Sequence, residues 1–162
     1  MELTVIRTAI SALVVFCLAI LAACGDDAPK TYDFATLERN SRPALVVIRT
    51  MNDALYDPSA PHPFKVTLQD GKLTVSGWTF DVNAGKPAAA VSVAVDGKDT
   101  FARYGLESPA PVKTYNNPAL AKCGFSVDLP LVPGTYSLAV KVVAADGKSY
   151  AVSRDVAVIV GK

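Results

Sequence analysis

The chain has 162 residues, of which 51% are hydrophobic and 19% are charged. Its 16 Lys and Arg against 15 Asp and Glu leave a formal net charge of +1, which excludes a strongly basic nucleic-acid-binding protein. One His and three Cys are too few for a conventional zinc or iron–sulfur centre. We therefore predict no cofactor, no metal site and no nucleic-acid partner.

The first 23 residues have the organisation of a secretory signal. Arg7 and the amino terminus supply positive charge, and residues 9–23 are apolar except for Ser11. An uncharged run of about 15 residues is shorter than the roughly 20 that span a bilayer. We predict that residues 1–23 direct export and are then removed. An uncleaved membrane anchor is the alternative.

This apolar run ends in Leu21-Ala22-Ala23-Cys24. These four residues resemble the lipobox of bacterial lipoproteins. The resemblance implies cleavage before Cys24 and attachment of fatty acyl chains such as palmitate to Cys24, so that the protein is held on the membrane and faces the periplasm. Several acyl chains on one residue give a stable anchor, whereas one chain binds only marginally. Gly25, where Asp would stand for inner-membrane retention, is compatible with the outer membrane of a double-membraned bacterium.

The remaining chain divides into a lipid-anchored tether over residues 24–43 and a domain over residues 44–162. Residues 25–31 are small and polar and predict a spacer, and residues 33–39 have the propensity for a two-turn helix capped by Asp33. Residues 44–50 are rich in β-branched side chains and predict the first strand. Three prolines within residues 58–63 predict no regular element there.

From Phe64 onward, apolar and polar residues alternate with a period of two, which is typical of strands with one face on a core and one in water. Three Asp-Gly pairs, at 70–71, 96–97 and 146–147, predict hairpins with type I′ turns. Pro133-Gly134 predicts a type II turn. Trp78 and Phe80 have the opposite parity to Leu73 and Val75. We therefore expect a bulge at Ser76-Gly77 that returns the aromatic rings to the core.

This pattern predicts an all-β protein in which six or seven antiparallel strands form a two-layer sandwich. The motifs along residues 64–160 are Gly77-Trp78-Thr79-Phe80-Asp81, Asp96-Gly97, Ala102-Arg103-Tyr104-Gly105, Gly124-Phe125 and Pro133-Gly134-Thr135-Tyr136. Their order is similar to a bacterial immunoglobulin-like module found in extracytoplasmic parts of envelope proteins, including membrane glycosyltransferases. The resemblance implies an immunoglobulin-like antiparallel β-sandwich with an interaction or spacer role, and it supplies no catalytic residues.

The longest segment without strand signals covers residues 103–122, and we predict a loop with one helical turn after an Asn117 cap. Long loops often carry function. The candidate binding residues in it are Arg103, Tyr104, Lys113, Tyr115 and Asn116. The two tyrosines can stack on sugar rings or pin the loop to the sandwich. We predict a protein or an envelope glycan as the partner, and the alternative is a packed loop that only crosses between the sheets.

The other candidate residues have simpler explanations. Cys123 shares its parity with Phe125, Val127 and Leu129, which predicts a buried and inert thiol. His62 lacks a second ligand nearby and is predicted to be a surface residue. Trp78 is expected to anchor the core, with an exposed carbohydrate platform as the alternative.

The sequence contains no recognisable catalytic set. A Ser-His-Asp triad would have to use His62, and no Gly-x-Ser-x-Gly turn, phosphate loop or dinucleotide fingerprint is present. We therefore predict a non-enzymatic binding or structural accessory module in the cell envelope. A pure scaffold or spacer domain and a small envelope enzyme are the alternatives.

Overall fold

The computed structural model describes residues 28–162. The predicted signal over residues 1–23 and the predicted lipid attachment site Cys24 lie outside the described residues. Residues 28–162 contain no helix of the length and apolarity that crossing a membrane requires. The elements are β1 (Glu38–Arg39), β2 (Val46–Met51), β3 (Ala54–Leu55), β4 (Phe64–Thr67), β5 (Lys72–Thr79), β6 (Ala90–Val95), β7 (Lys98–Phe101), β8 (Arg103–Leu106), α1 (Pro109–Tyr115), a 3-10 helix (Pro118–Lys122), β9 (Gly124–Pro130), β10 (Gly134–Val143), β11 (Ser149–Val152) and β12 (Val156–Gly161).

The strands form two sheets, which confirms a mainly β protein and is consistent with a β-sandwich. We call the sheet of β1, β4, β6, β7, β10, β11 and β12 sheet 1, and the sheet with the order β3-β2-β5-β9-β8 sheet 2. All neighbouring strands of sheet 2 are antiparallel. The first strand predicted for residues 44–50 is β2, and residues 58–63 form no helix or strand, as expected.

Sheet 1 is built around β10. The first half of β10 pairs with β12 and its second half with β11, while β6 and then β7 lie on its other side. Two further pairs are parallel, namely β1 with β11 and β4 with β12. The prediction of a purely antiparallel sandwich is therefore wrong for this sheet. Because β2 and β3 belong to sheet 2, β1 and β4 pair with strands that lie much later in the chain. The alternation of apolar and polar residues does not indicate whether such a pair is parallel or antiparallel.

Apolar side chains at alternate positions fill the space between the sheets. Leu73 and Val75 of β5 lie opposite Leu129 and Val127 of β9, and all four side chains are buried. Each such side chain stabilises the fold by about 1.5–3 kcal/mol. The period of two therefore predicted the core face of these strands correctly. The same core contains Met51, Val66, Val91, Val93, Phe125, Leu138, Val140, Val142, Val158 and Val160.

Strand β6 is buried on both faces. Ser92 and Ala94, whose side was predicted to face water, are as buried as Val91 and Val93. Phe34 covers this outer side of sheet 1, because its ring stacks on Phe101 with the centroids 5.5 Å apart and tilts against Tyr150 at 5.0 Å. The predicted wet face is wrong here because a distant part of the chain packs on it, which local periodicity does not encode.

Residues 28–43, which we call the N-terminal strap, provide Phe34 and β1. The two-turn helix predicted over residues 33–39 does not form. Asp33 instead caps a single turn, in which its Oδ1 accepts the Ala35 N–H at 3.0 Å and its carbonyl oxygen accepts the Thr36 N–H at 3.1 Å. So short a helix has little intrinsic stability, whereas β1 pairs with β11 and Phe34 packs on sheet 1.

The Asp-Gly pairs at 96–97 and 70–71 both have the two positive φ angles that a type I′ turn needs. The first pair joins β6 and β7 in the predicted hairpin. The second follows the same turn chemistry, but only Gln69 and Lys72 pair across it before β4 and β5 diverge into different sheets. Turn type was therefore predictable in both cases, whereas the hairpin was predictable in only one.

The other two predicted turns differ from expectation. Of the pair at 146–147, only Gly147 has a positive φ, and the hairpin between β10 and β11 closes through a longer connection in which Ala144 N–H donates to Ser149 O at 2.8 Å. A type I′ turn is therefore wrong there, although the hairpin itself forms. Gly134 has no positive φ and begins β10, so the predicted type II turn is also wrong.

The bulge expected at Ser76-Gly77 lies in the partner strand. β5 pairs with β9 without interruption from Lys72 to Trp78, and the register shift falls in β2, between Ile48 and Thr50. Trp78 consequently stays on the opposite face of sheet 2 from Leu73 and Val75. The expected return of the aromatic rings to the main core is therefore wrong.

Candidate binding surface

Residues 103–122, predicted as a loop, are occupied by β8, α1 and the 3-10 helix. The capped turn after Asn117 is confirmed, since its Oδ1 accepts the Ala119 N–H at 3.0 Å and Pro118 opens the 3-10 helix. The Asn117 Nδ2 donates to the carbonyl oxygen of Gly85 at 2.9 Å and fastens this segment to the turn before β6. The segment is therefore an ordered cover on sheet 2.

A second apolar cluster lies beneath this cover. Its buried members are Trp78, Phe80, Leu120 and Cys123. Because Trp78 faces away from the main core, it anchors α1 and the 3-10 helix to the outer side of sheet 2. Burial of Trp78 rules out its role as an exposed carbohydrate platform. Partly buried Leu45, Tyr104, Ala110 and Val112 pack against this cluster.

Tyr104 is an internal fastening residue. Its hydroxyl donates to the carbonyl oxygen of Thr79 at 2.9 Å and accepts the N–H of Ala88 at 2.9 Å. Burial raises the pKa of the Tyr104 phenol far above its ordinary value, so the hydroxyl remains neutral. Of the two roles considered for this residue, the geometry supports pinning of the segment.

Tyr115 is oriented differently. Its ring packs edge-on against Phe80, with centroids 5.0 Å apart, and against Trp78 at 6.3 Å, yet 43% of the residue is exposed. Lys113 and Asn116 beside it on the chain are also exposed, and Asn116 ends α1 in the left-handed conformation. We call these three exposed residues the Tyr115 surface; the aromatic ring rests on Phe80 and Trp78, and the cation and the amide are close to it in the chain.

The five predicted binding residues do not all line one cleft. Arg103 and Tyr104 line a cleft of about 460 Å³ together with Lys30 and Lys122. Lys113, Tyr115 and Asn116 are not part of that lining. No local signal in the sequence distinguishes the inward Tyr104 from the outward Tyr115.

Cys123 is buried, as predicted, although it belongs to the second cluster and not to the main core. Its Sγ donates to the carbonyl oxygen of Leu120 at 3.0 Å. Burial raises the pKa of the thiol to about 11. A thiol in this state has little thiolate at neutral pH and is a poor nucleophile.

The structure adds a polar cluster that the sequence reading missed. On the outer side of sheet 1, Ser92 Oγ donates to Asp99 Oδ1 at 3.0 Å, and Lys141 Nζ donates to Asp99 Oδ2 at 2.6 Å. The Lys141 ammonium also lies 4.6 Å from the centroid of the Phe34 ring. Alternation predicts that the side chains of Ser92 and Lys141 face solvent. The cluster forms where Phe34 of the strap covers them, and the sequence pattern of β6 and β10 does not predict that contact. The three polar side chains bond to one another, which suits a structural role.

A second cleft, of about 440 Å³, lies beside residues 40–45 and contains Arg42 and Asp81. The Asp81 carboxylate is occupied by backbone donors, since Oδ1 accepts from Asn83 N at 3.0 Å and Oδ2 from Ala145 N at 2.9 Å. This carboxylate therefore ties two turns together. It is not arranged as a free acid or base.

His62 is exposed, and its Nε2 lies 3.3 Å from the carbonyl oxygen of Pro58. Among residues 28–162 no group of three or more His, Cys, Asp or Glu side chains is placed to hold a metal ion. No protein-family model matches the chain, and no curated protein matches it.

Proposed function

We propose that the chain is a lipid-anchored protein of the cell envelope, facing the periplasm, whose β domain is a non-catalytic binding or structural module. The lipobox-like Leu21-Ala22-Ala23-Cys24 after an apolar run supports the anchor. In this proposal acyl chains on Cys24 hold the protein on the membrane. The outer membrane is the proposed destination in a double-membraned bacterium.

We further propose that the domain is immunoglobulin-like. Sheet 2 contains the order β2-β5-β9-β8, which matches strands A, B, E and D of that fold. Sheet 1 contains the order β7-β6-β10, with β11 and β12 on the other side of β10, which matches strands C′, C, F and G. The hydroxyl of Tyr136, near the start of β10, donates to the carbonyl oxygen of Val132 at 2.8 Å. This bond is what a tyrosine corner makes at the connection before strand F. β4, parallel to β12, is an addition to the set.

The Tyr115 surface carries the binding proposal. An aromatic ring that is half exposed and held from behind by Phe80 and Trp78 loses little conformational entropy when a partner covers it. Lys113 and Asn116, two positions and one position from Tyr115 in the chain, are exposed and carry further hydrogen-bond donors. Such a surface suits the face of a sugar ring or a protein side chain, so the proposed partner is an envelope glycan or an envelope protein.

Labelling with a fatty acid tests the anchor. The Cys24→Ser variant should accumulate as unprocessed precursor without incorporated fatty acid, because the thiol that accepts the acyl chain is gone. Cys17→Ser is the matched control, since Cys17 lies within the apolar run, and it should be processed and labelled normally. Normal labelling of the Cys24→Ser chain would refute the anchor.

Cross-linking in the native envelope, followed by identification of the captured molecules, tests the binding role. Tyr115→Ala should abolish capture and lower the melting temperature by only a few degrees, because the ring loses its packing on Phe80 and Trp78 but the domain still folds. Leu55→Ala is the control, because Leu55 is 75% exposed on the edge strand β3 of sheet 2. A spacer domain used through its sheet edges gives the reverse result, with capture lost for Leu55→Ala and retained for Tyr115→Ala.

A further inference from the structure

One end of the domain has a cleft with a basic rim and an apolar floor. Lys30, Arg103 and Lys122 are exposed at this cleft, which has a volume of about 460 Å³. Among residues 28–162, no Asp or Glu lines it. The floor consists of small and apolar residues, including Ala28, Pro29, Pro87, Ala88, Ala90 and Leu106.

The chain enters the domain at this same cleft. Ala28 is one of its lining residues, and Cys24 precedes Ala28 by four positions. Since an extended chain covers at most about 3.6 Å per residue, the Cα atoms of Cys24 and Ala28 are no more than roughly 14 Å apart. The strap beyond this point is fixed to sheet 1 by Phe34 and β1. An anchor at Cys24 therefore keeps the cleft close to the membrane surface.

We propose that this basic cleft faces the membrane and contacts anionic lipid headgroups. The proposal rests on the proposed lipid anchor at Cys24. A negative membrane surface attracts cations within about one Debye length, roughly 8–10 Å at physiological salt. The short connection brings Lys30, Arg103 and Lys122 toward that range, and none of the described residues that line the cleft is a carboxylate.

The attraction orients an already anchored chain. Asp26 and Asp27 precede the cleft, and Glu107 follows β8, so the local excess of positive charge is modest. Binding to vesicles without the lipid anchor is therefore not expected. The opposite end of the domain points away from the membrane. Trp78 marks the cleft end of β5, because it pairs with Gly124, and Gly124 pairs with Leu106 of the cleft. Lys72 marks the opposite end, since it lies six residues from Trp78 along β5, about 20 Å away.

Lysine labelling of the full mature protein tests this orientation. The protein is purified from membranes and reconstituted into vesicles of phosphatidylcholine, alone or mixed with phosphatidylglycerol. An impermeant amine reagent is applied, and each lysine is quantified by mass spectrometry. Labelling of Lys30 and Lys122 should fall at least threefold in the anionic vesicles relative to the neutral ones and should recover at high salt. Labelling of Lys72 and Lys162 should not change.

The variant Arg103→Glu keeps both reporter lysines and reverses one charge of the rim. It should remove most of the protection of Lys30 and Lys122 by anionic vesicles. The control Lys98→Glu, at the turn between β6 and β7, changes the net charge equally and should leave that protection unchanged. If labelling of Lys30 and Lys122 in an acylated chain is the same in anionic and neutral vesicles, the membrane contact alone is overturned. If the same digest carries no acyl group on Cys24, the anchor is wrong, and the contact is wrong with it. Protection in native membranes but not in vesicles would indicate a protein partner and would also overturn the contact.

Discussion

Ser153 forms two hydrogen bonds with Val140. The Ser153 N–H donates to the carbonyl oxygen of Val140 at 2.8 Å, and the Ser153 Oγ accepts the Val140 N–H at 2.9 Å. Ser153 lies in the gap between β11 and β12, where β10 would otherwise lose a partner. The side chain thus completes the backbone pairing of the central strand of sheet 1 across an interruption in its neighbour.

Ser153→Ala should lower the free energy of unfolding by about 1–3 kcal/mol, because it leaves the Val140 N–H without an acceptor in a part-buried position. Urea unfolding followed by Trp78 fluorescence measures the change. Ser137→Ala is the matched control on the exposed side of β10 and should stay within about 0.5 kcal/mol of the unmodified protein. Equal effects of the two substitutions would contradict this role for Ser153.

Gly77→Ala should destabilise the protein by about 1–3 kcal/mol or more. A Cβ at Gly77 would overlap the carbonyl oxygen of Val47, which is backbone and cannot rotate away. Gly161→Ala is the control, since a Cβ there meets nothing closer than the Val66 carbonyl oxygen at 3.9 Å. The same unfolding measurement separates the two, and a stable Gly77→Ala protein would mean that β2 and β5 move apart easily.

Lys141→Met should cost about 1–2 kcal/mol of stability, because Asp99 then keeps its charge in a half-buried site with Ser92 as its remaining side-chain partner. Lys72→Met should change stability by less than about 0.5 kcal/mol, since the Lys72–Asp128 pair is 4.0 Å apart and more than half exposed. Thermal unfolding of both variants at low and high salt checks this. A comparable loss in the two variants would show that the Lys141–Asp99 pair contributes no more than the exposed pair.

Cys123 should react slowly with iodoacetamide in the native protein. Its pKa is raised from 9.0 to about 11, so the thiolate fraction at pH 8 is about 100-fold below that of an unfolded thiol, and burial slows attack further. Mass spectrometry of the Cys123 peptide with and without urea measures the ratio of rates. A native rate within tenfold of the unfolded rate would show that the second cluster opens readily.

The same shift predicts a pH dependence of stability. Because the folded pKa lies above the unfolded one, the folded state binds more protons between pH 9 and 11. The stabilisation is complete below about pH 9 and is lost as the pH rises through about 11. Cys123→Ala should flatten the decline of the unfolding free energy over this window, even if it lowers stability at pH 7.

Local chemistry made part of the fold predictable. The alternation around Leu73 and Val75, the Asp96-Gly97 turn and the Asn117-Pro118 cap each depend on a few adjacent residues, and each is found as expected. Other features depend on contacts between distant parts of the chain. They are the parallel pairing of β1 with β11, the parallel pairing of β4 with β12 and the packing of Phe34 on sheet 1. No period or turn signal contains that information.

The candidate binding residues illustrate the same boundary. Tyr104 and Tyr115 lie in one segment and have the same side chain, but Thr79 and Ala88 hold the first inward, while Phe80 supports the second at the surface. Arg103 joins a cleft with Lys30, which is more than seventy positions away in the chain. Which residues share a surface was therefore set by tertiary packing.

The parallel pairing of β1 with β11 and of β4 with β12 has a mechanical consequence. If the chain is held at its amino end and a partner pulls on the domain from its carboxyl end, each parallel pair is loaded along its length, because tension enters the two strands at opposite ends. The slanted, evenly spaced hydrogen bonds of a parallel pair then share the force. The parallel pairs of sheet 1 should therefore resist a force applied between the two ends of the described chain.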